Sequence, residues 1–163
     1  MVTKLLEEEY RDIFLNSPAA LLIIDIDAPS YTILDANNSY LTSTNTTRES
    51  LIGQSIFAVF PVNGTDNDPT NIERTIESFE EAIKNKVPVV KSNYRYDIPI
   101  PGTSDFEERY WTMTNTPVLD ENGEVMYLIN SPINVTEHYK LSQKEKIATE
   151  ALQKQEESLY STF

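Results

Sequence analysis

Any chemistry in this chain has to come from carboxylates, amides, hydroxyls and a lone histidine. Its 163 residues include no cysteine and one histidine, His138. That removes thiol nucleophiles, disulfides, zinc–thiolate sites, iron–sulfur clusters and multi-histidine metal sites. Glu80-Glu81 and Glu107-Glu108 are paired acids, but neighbours in sequence point different ways and cannot act as one acid–base couple. Asp66, Asn67 and Asp68 sit in a run of loop residues that lacks the spaced carboxylates and distal glutamate of a calcium loop. A solvated acidic loop is the simpler reading. No nucleophile–histidine–acid set can be assembled, and the four glycines form no phosphate-cradling loop. What remains is a pair of amides, Asn115 and Asn130, set among apolar residues.

Those amides lie in the stretch around which the chain is organised, Glu107 to His138. Two runs rich in β-branched and aromatic residues flank Asp120-Glu121-Asn122-Gly123. Asn-Gly is a strong hairpin signal because both residues tolerate positive φ. Trp111, Met113 and Asn115 alternate with Thr112, Thr114 and Thr116, which gives the first arm one bulky and one polar face. The same parity puts Leu128 with Asn130 on the second arm. A buried amide needs partners, and these two could satisfy each other, a water or a ligand.

Upstream, residues 3–15 carry Leu6, Tyr10, Ile13 and Phe14 at helical spacing. Ala20–Ile26 and Tyr31–Asp35 read as two strands of an antiparallel hairpin. Asn37 stands where a helix cap belongs, and Thr47 could cap a further turn that Gly53 ends. Ile56, Phe57, Val59 and Phe60 form an apolar knot. Ile72, Ile76, Phe79 and Ile83 mark a helix over 70–86. Over 87–98, Val90, Tyr94, Tyr96 and Ile98 share one strand parity, and Lys91, Asn93, Arg95 and Asp97 the other. Two strands at the front and three at the back bury an apolar face only by sharing one sheet. The expected fold is α+β: a five-stranded antiparallel sheet with helices on one face.

The formal net charge of −13 argues against a nucleic-acid or anionic-membrane partner. The apolar run Ala19–Ile24 is far too short to span a bilayer, and the N-terminus lacks a signal-peptide core. A cytoplasmic domain is expected.

With its elements in this order, the sequence resembles a PAS domain, most of all those of bacterial sensor histidine kinases. The residues that carry the resemblance are Asn37 within ILDANNSYL, the run RESLIGQSIFAVFP from Arg48 to Pro61, RYDIP at 95–99, Trp111 with PVLDENGEV at 117–125, and NVTE at 134–137. The family closes its last strand on an Asp-x-Thr motif. Here Asn134 replaces the aspartate, while Thr136 and Glu137 remain. The resemblance implies a PAS domain over 18–136, with a flanking helix over 1–17 and a signalling helix over 137–163. It implies a non-catalytic sensory or docking module, commonly dimeric, with an effector domain later in the same chain.

The family's flavin-photoadduct members need a cysteine, and its haem-binding members usually place a histidine on the long helix or next strand. Neither cofactor is expected here, and the protein should be colourless. The family's cavity lies between sheet and helices. On that basis Tyr40, Ile52, Phe57, Phe79, Ile83, Tyr94, Tyr96, Trp111, Met113, Asn115, Leu128 and Asn130 are its candidate lining, with a filled core as the alternative. Asn134, Thr136 and Glu137 are the candidate relay.

The segment 137–163 contains no glycine or proline. Leu141, Ala148, Leu152 and Leu159 fit an a/d seam interrupted by Glu145 and Gln155. Pairing with a second copy would cover that stripe, so a homodimer is expected. The alternative is a solvated linker helix.

Overall fold

The computed structural model describes residues 4–61 and 70–161. The acidic run Asp66 to Asp68 lies outside the described residues. The chain opens with helix α1 (Glu7–Asn16), whose start is held by the Glu9 carboxylate accepting from the Leu6 N–H at 2.7 Å. Strands β1 (Leu22–Asp25) and β2 (Ile33–Ala36) follow, then three short helices. These are α2 (Asn38–Thr44), α3 (Arg48–Leu51) and α4 (Ile56–Val59), capped by the side chains of Asn37, Thr47 and Ser55. Helix α5 (Thr70–Asn85) leads into strand β3 (Val89–Arg95). A two-residue pair, β4 (Ile98–Pro99) and β5 (Phe106–Glu107), precedes the long strands β6 (Tyr110–Leu119) and β7 (Val125–Asn134). Helix α6 (Thr136–Ser161) runs out of the domain.

The main sheet has five strands in the order β2-β1-β7-β6-β3, every pair antiparallel. The front pair and the back trio therefore join through β1 and β7, with Leu22 opposite Asn130 and Ile24 opposite Leu128. One face of the sheet carries the core. Leu22, Ile24, Ile33, Leu51, Phe79 and Leu128 are wholly buried there, beside Tyr31 and Tyr40. A smaller cluster of Tyr94, Ile98 and Trp111 lies toward the other end.

Two local departures from strict alternation matter. Asn93 adopts φ +57°, and the β3–β6 register shifts between Lys91 and Tyr94. This bulge reverses the inward parity along β3. Val89 is buried in place of Val90, while Tyr94 still points in. At the β6–β7 turn only Gly123 takes positive φ, at +77°. Asn122 does not need it, because the Asp120 carboxylate accepts from the Asn122 and Glu124 N–H groups at 2.8 and 3.0 Å and shapes the loop instead.

Candidate functional site

Between the sheet and helices α2, α4 and α5 lies a cavity of about 80 Å³. Of the twelve residues the sequence suggested, Tyr40, Phe57, Tyr94, Tyr96, Trp111, Met113 and Asn130 line it. The other five do not. Ile52 is 37% exposed, because it ends α3 in an extended conformation and leaves only Leu51 pointing inward. Phe79 and Leu128 are sealed in the main core, and Ile83 packs against it. Asn115 is buried directly opposite the wall residue Asn130 but does not itself line the cavity.

The remaining wall comes from Thr44, Ile56, Phe60, Pro61, Asn71, Ile72, Thr75, Ile98 and Pro132. Pro132 shares the inward parity of Asn130, and Ile72 lies on the apolar stripe of α5, so both were open to a sequence argument. Asn71 and Thr75 were not, being polar neighbours of that stripe. A second recess of about 430 Å³ shares Thr44, Phe60, Pro61, Tyr96 and Ile98 with the cavity. The Phe60 and Tyr96 rings meet edge to face at 5.9 Å between the two spaces.

Among the described residues the cavity wall carries no charged side chain. Its polar groups are mostly spoken for. Thr75 and Asn71 bond the Tyr94 hydroxyl, the Thr75 contact being 2.6 Å. The Tyr96 hydroxyl donates to the Pro61 carbonyl at 2.7 Å, and the Trp111 indole N–H donates to the Tyr96 carbonyl at 2.9 Å. Asn130 Nδ2 donates to Asn115 Oδ1 at 2.7 Å, and Asn115 Nδ2 donates to Ser78 Oγ at 2.8 Å. The two amides thus satisfy each other across neighbouring strands and tie the sheet to α5.

A polar group missed by the strand parity is Asp97. It is buried beside the cavity, accepting from Arg95 Nε at 3.2 Å, Arg95 Nη2 at 3.1 Å and the Arg109 N–H at 3.3 Å. The hydrogen bonds from Asp97 hold the Arg95 guanidinium firmly charged. Arg109 continues the network, reaching the Ser43 carbonyl at 2.8 Å and resting over the Trp111 ring at 5.9 Å.

Burial raises the Tyr40 phenol well above its ordinary range, with Tyr96 adding to the effect. Burial likewise lifts Tyr96 to about 12, and burial with the Glu108 carboxylate lifts Tyr110 to about 12. A phenol with a raised folded pKa keeps its proton when the unfolded chain has lost it. The stability it contributes is therefore complete below pH 10 and disappears as pH climbs from 10 through about 12. The urea midpoint should accordingly fall across that window, with tyrosinate absorbance lagging the free-tyrosine curve until unfolding. Titration of every tyrosine near pH 10 in the folded protein would refute it.

At the exit of the sheet, Thr136 Oγ1 accepts from the Tyr110 N–H at 3.0 Å and donates to Asn134 Oδ1 at 2.5 Å. Asn134 Oδ1 also accepts from the Thr136 N–H at 3.1 Å, closing the start of α6. Glu137 is exposed and makes no such contact among the described residues. In its place, Tyr139 stacks on Tyr110 with ring centres 3.8 Å apart, and Lys140 faces Glu108 at 4.0 Å. No residue of α6 is buried.

A five-stranded antiparallel sheet, helices packed on one face around a small cavity and a long helix leaving the last strand define a domain of the sensory, regulatory and non-catalytic class. Residues 14–140 match the family model described as "PAS fold", and the chain belongs to that family. Among solved structures it is similar to an RNA-binding light-oxygen-voltage receptor, at 21% identity and a TM-score of 0.70 over 94% of this chain and 39% of that one. It is also similar to the PAS domain of BvgS from Bordetella pertussis, at 21% identity and a TM-score of 0.56 over 88% and 96% of the two chains. The PAS domain of the fruit-fly ELK potassium channel aligns at 12% identity and a TM-score of 0.59 over 82% and 99%. At these identities the likeness is one of fold. The chain spans about two fifths of the receptor's length. No curated protein sequence matches this chain. Among the described residues no helix is long and apolar enough to cross a membrane.

Proposed function

We propose that this chain is the sensory module of a bacterial signal-transduction protein, a two-component histidine kinase, acting in the cytoplasm as a homodimer. In this reading residues 18–136 sense, 1–17 flank, and 137–163 carry the signal to an effector domain later in the chain. A small molecule in the cavity shifts the β6–β7 pair. Asn134 and Thr136 pass that shift to α6, with Glu137 available to a partner copy. The observation that carries the proposal is the unburied seam of α6: Leu141, Leu152 and Leu159 are all about 60% exposed on one helix of 26 residues. On α1, Leu6, Tyr10 and Ile13 are exposed as well and offer a second surface for pairing.

Light scattering of the protein with and without residues 140–163 tests the dimer. The expected result is a dimer that weakens on truncation, and a monomer in both forms refutes it. Inserting one residue after His138 turns the helix by about 100°, and unchanged effector output in the full-length protein would refute the relay. The small volume of the cavity, about 80 Å³, favours a second reading, a dimerisation or docking module without a ligand. A ligand retained in native mass spectrometry distinguishes the two.

A further inference from the structure

Two buried residues of the cavity wall each present a side-chain polar atom that has no partner among the described residues. Tyr40 is 3% exposed, and its hydroxyl makes no hydrogen bond among the described residues. Asn130 is also 3% exposed, and its Nδ2 is committed to Asn115 while its Oδ1 accepts nothing. No fully buried side-chain nitrogen or oxygen lacks a partner in the described structure, so both atoms keep contact with cavity space. Tyr40 comes from α2 and Asn130 from β7, and both line the same cavity. A polar atom that faces cavity space without a protein partner is available to a guest able to bond it.

From these two atoms we infer the class of molecule the cavity takes: a small uncharged one that offers an N–H or O–H donor. The donor is required by Asn130 Oδ1, which can only accept. The Tyr40 hydroxyl gives or accepts a second bond. Charge is disfavoured because, among the described residues, no ionised side chain lines the wall to replace lost water. The space itself measures about 80 Å³. That exceeds the ~30 Å³ share of one water and falls short of the ~150 Å³ cavity that admits benzene. Four or five non-hydrogen atoms in a compact or ring shape fit between those limits, with Phe57 and Trp111 as apolar walls. This rests on the reading that the cavity binds a ligand.

Trp111 lines the cavity and is the sole tryptophan, so its emission reports occupancy. The test is titration of the full chain with pyrazole, with isoxazole, whose ring carries oxygen in place of the N–H, and with acetate. Pyrazole should change the emission saturably, isoxazole should bind about tenfold more weakly, and acetate should have no effect. Tyr40→Phe and Asn130→Leu should each weaken pyrazole several-fold. Tyr40→Phe deletes a hydroxyl that holds nothing in the fold, so it remains informative if Asn130→Leu unfolds the protein. Equal binding of isoxazole and pyrazole, or binding of acetate, overturns the ligand class while leaving the cavity a ligand site. Silence from all three overturns the ligand reading as well.

Discussion

Replacing Asn37 with alanine should lower the unfolding free energy by about 3 kcal/mol. Its side chain is wholly buried and makes three bonds. Oδ1 accepts from the Tyr40 N–H at 3.0 Å, which caps α2, and from the Leu21 N–H at 2.9 Å, which fixes the entry to β1. Nδ2 donates to the Ala19 carbonyl at 2.8 Å. Alanine removes the partner of two donors and an acceptor, of which the Tyr40 N–H is buried and the Leu21 and Ala19 groups are partly so. The lost cap alone is worth ~1 kcal/mol, and each stranded group adds ~1 kcal/mol or more. Asn37→Asp should also destabilise, because a carboxylate cannot donate to Ala19 and is buried without a cation. Urea unfolding of both variants measures this. A midpoint within error of the parent for Asn37→Ala would mean that the clamp is dispensable.

The second large effect is expected at Asp97. Removing one member of a buried ion pair typically costs ~3–5 kcal/mol. Here Arg95 is one-third exposed and can recover part of its hydration, with 33% of its side chain accessible against 2% for Asp97. The expected loss for Asp97→Ala is therefore about 2 to 3 kcal/mol. It also removes the acceptor of the Arg109 N–H. Arg109 is the residue that rests over Trp111 and grips α2 through Ser43, so the variant should show altered Trp111 emission before it unfolds. A variant with parental stability and parental emission would show that the network is ornamental to this part of the fold.

The legibility of the sequence followed how local each signal was. Asn115 and Asn130 were found as inward neighbours because β6 and β7 alternate without interruption from Trp111 to Leu128. The five-strand sheet followed from burial alone. Asn37 was readable as a cap, since a cap is a matter of three residues. Its grip on Leu21 and Ala19 was not, because those bonds exist only once β1 lies beside α2. Strand parity failed across Asn93, where one left-handed residue exchanged Val90 for Val89. Beyond the same bulge, Asp97 was read as belonging to the polar face. Its burial depends on Arg95 at the end of β3 meeting Arg109 from the link between β5 and β6, and nothing in a period-two pattern records that. Of the expected cavity lining, Tyr40, Phe57, Tyr94, Tyr96 and Trp111 face the cavity, whereas Phe79, Ile83 and Leu128 belong to the main core and Ile52 to the surface, a division that depends on packing.

The exit helix has a mechanical consequence. With 26 residues it is about 39 Å long, yet the polar and ring contacts it makes with the domain among the described residues come from Thr136, Tyr139 and Lys140 at its start. Thr136, bonded to Tyr110 and Asn134, is the fulcrum, and Tyr139, stacked on Tyr110, is the short arm, about 4.5 Å farther along the axis. From Thr136 to Ser161 is about 37 Å, so the ratio of the arms is near eight to one. A rocking of about 0.5 Å at the tyrosine stack swings Ser161 through about 4 Å, roughly three quarters of the rise of one helical turn.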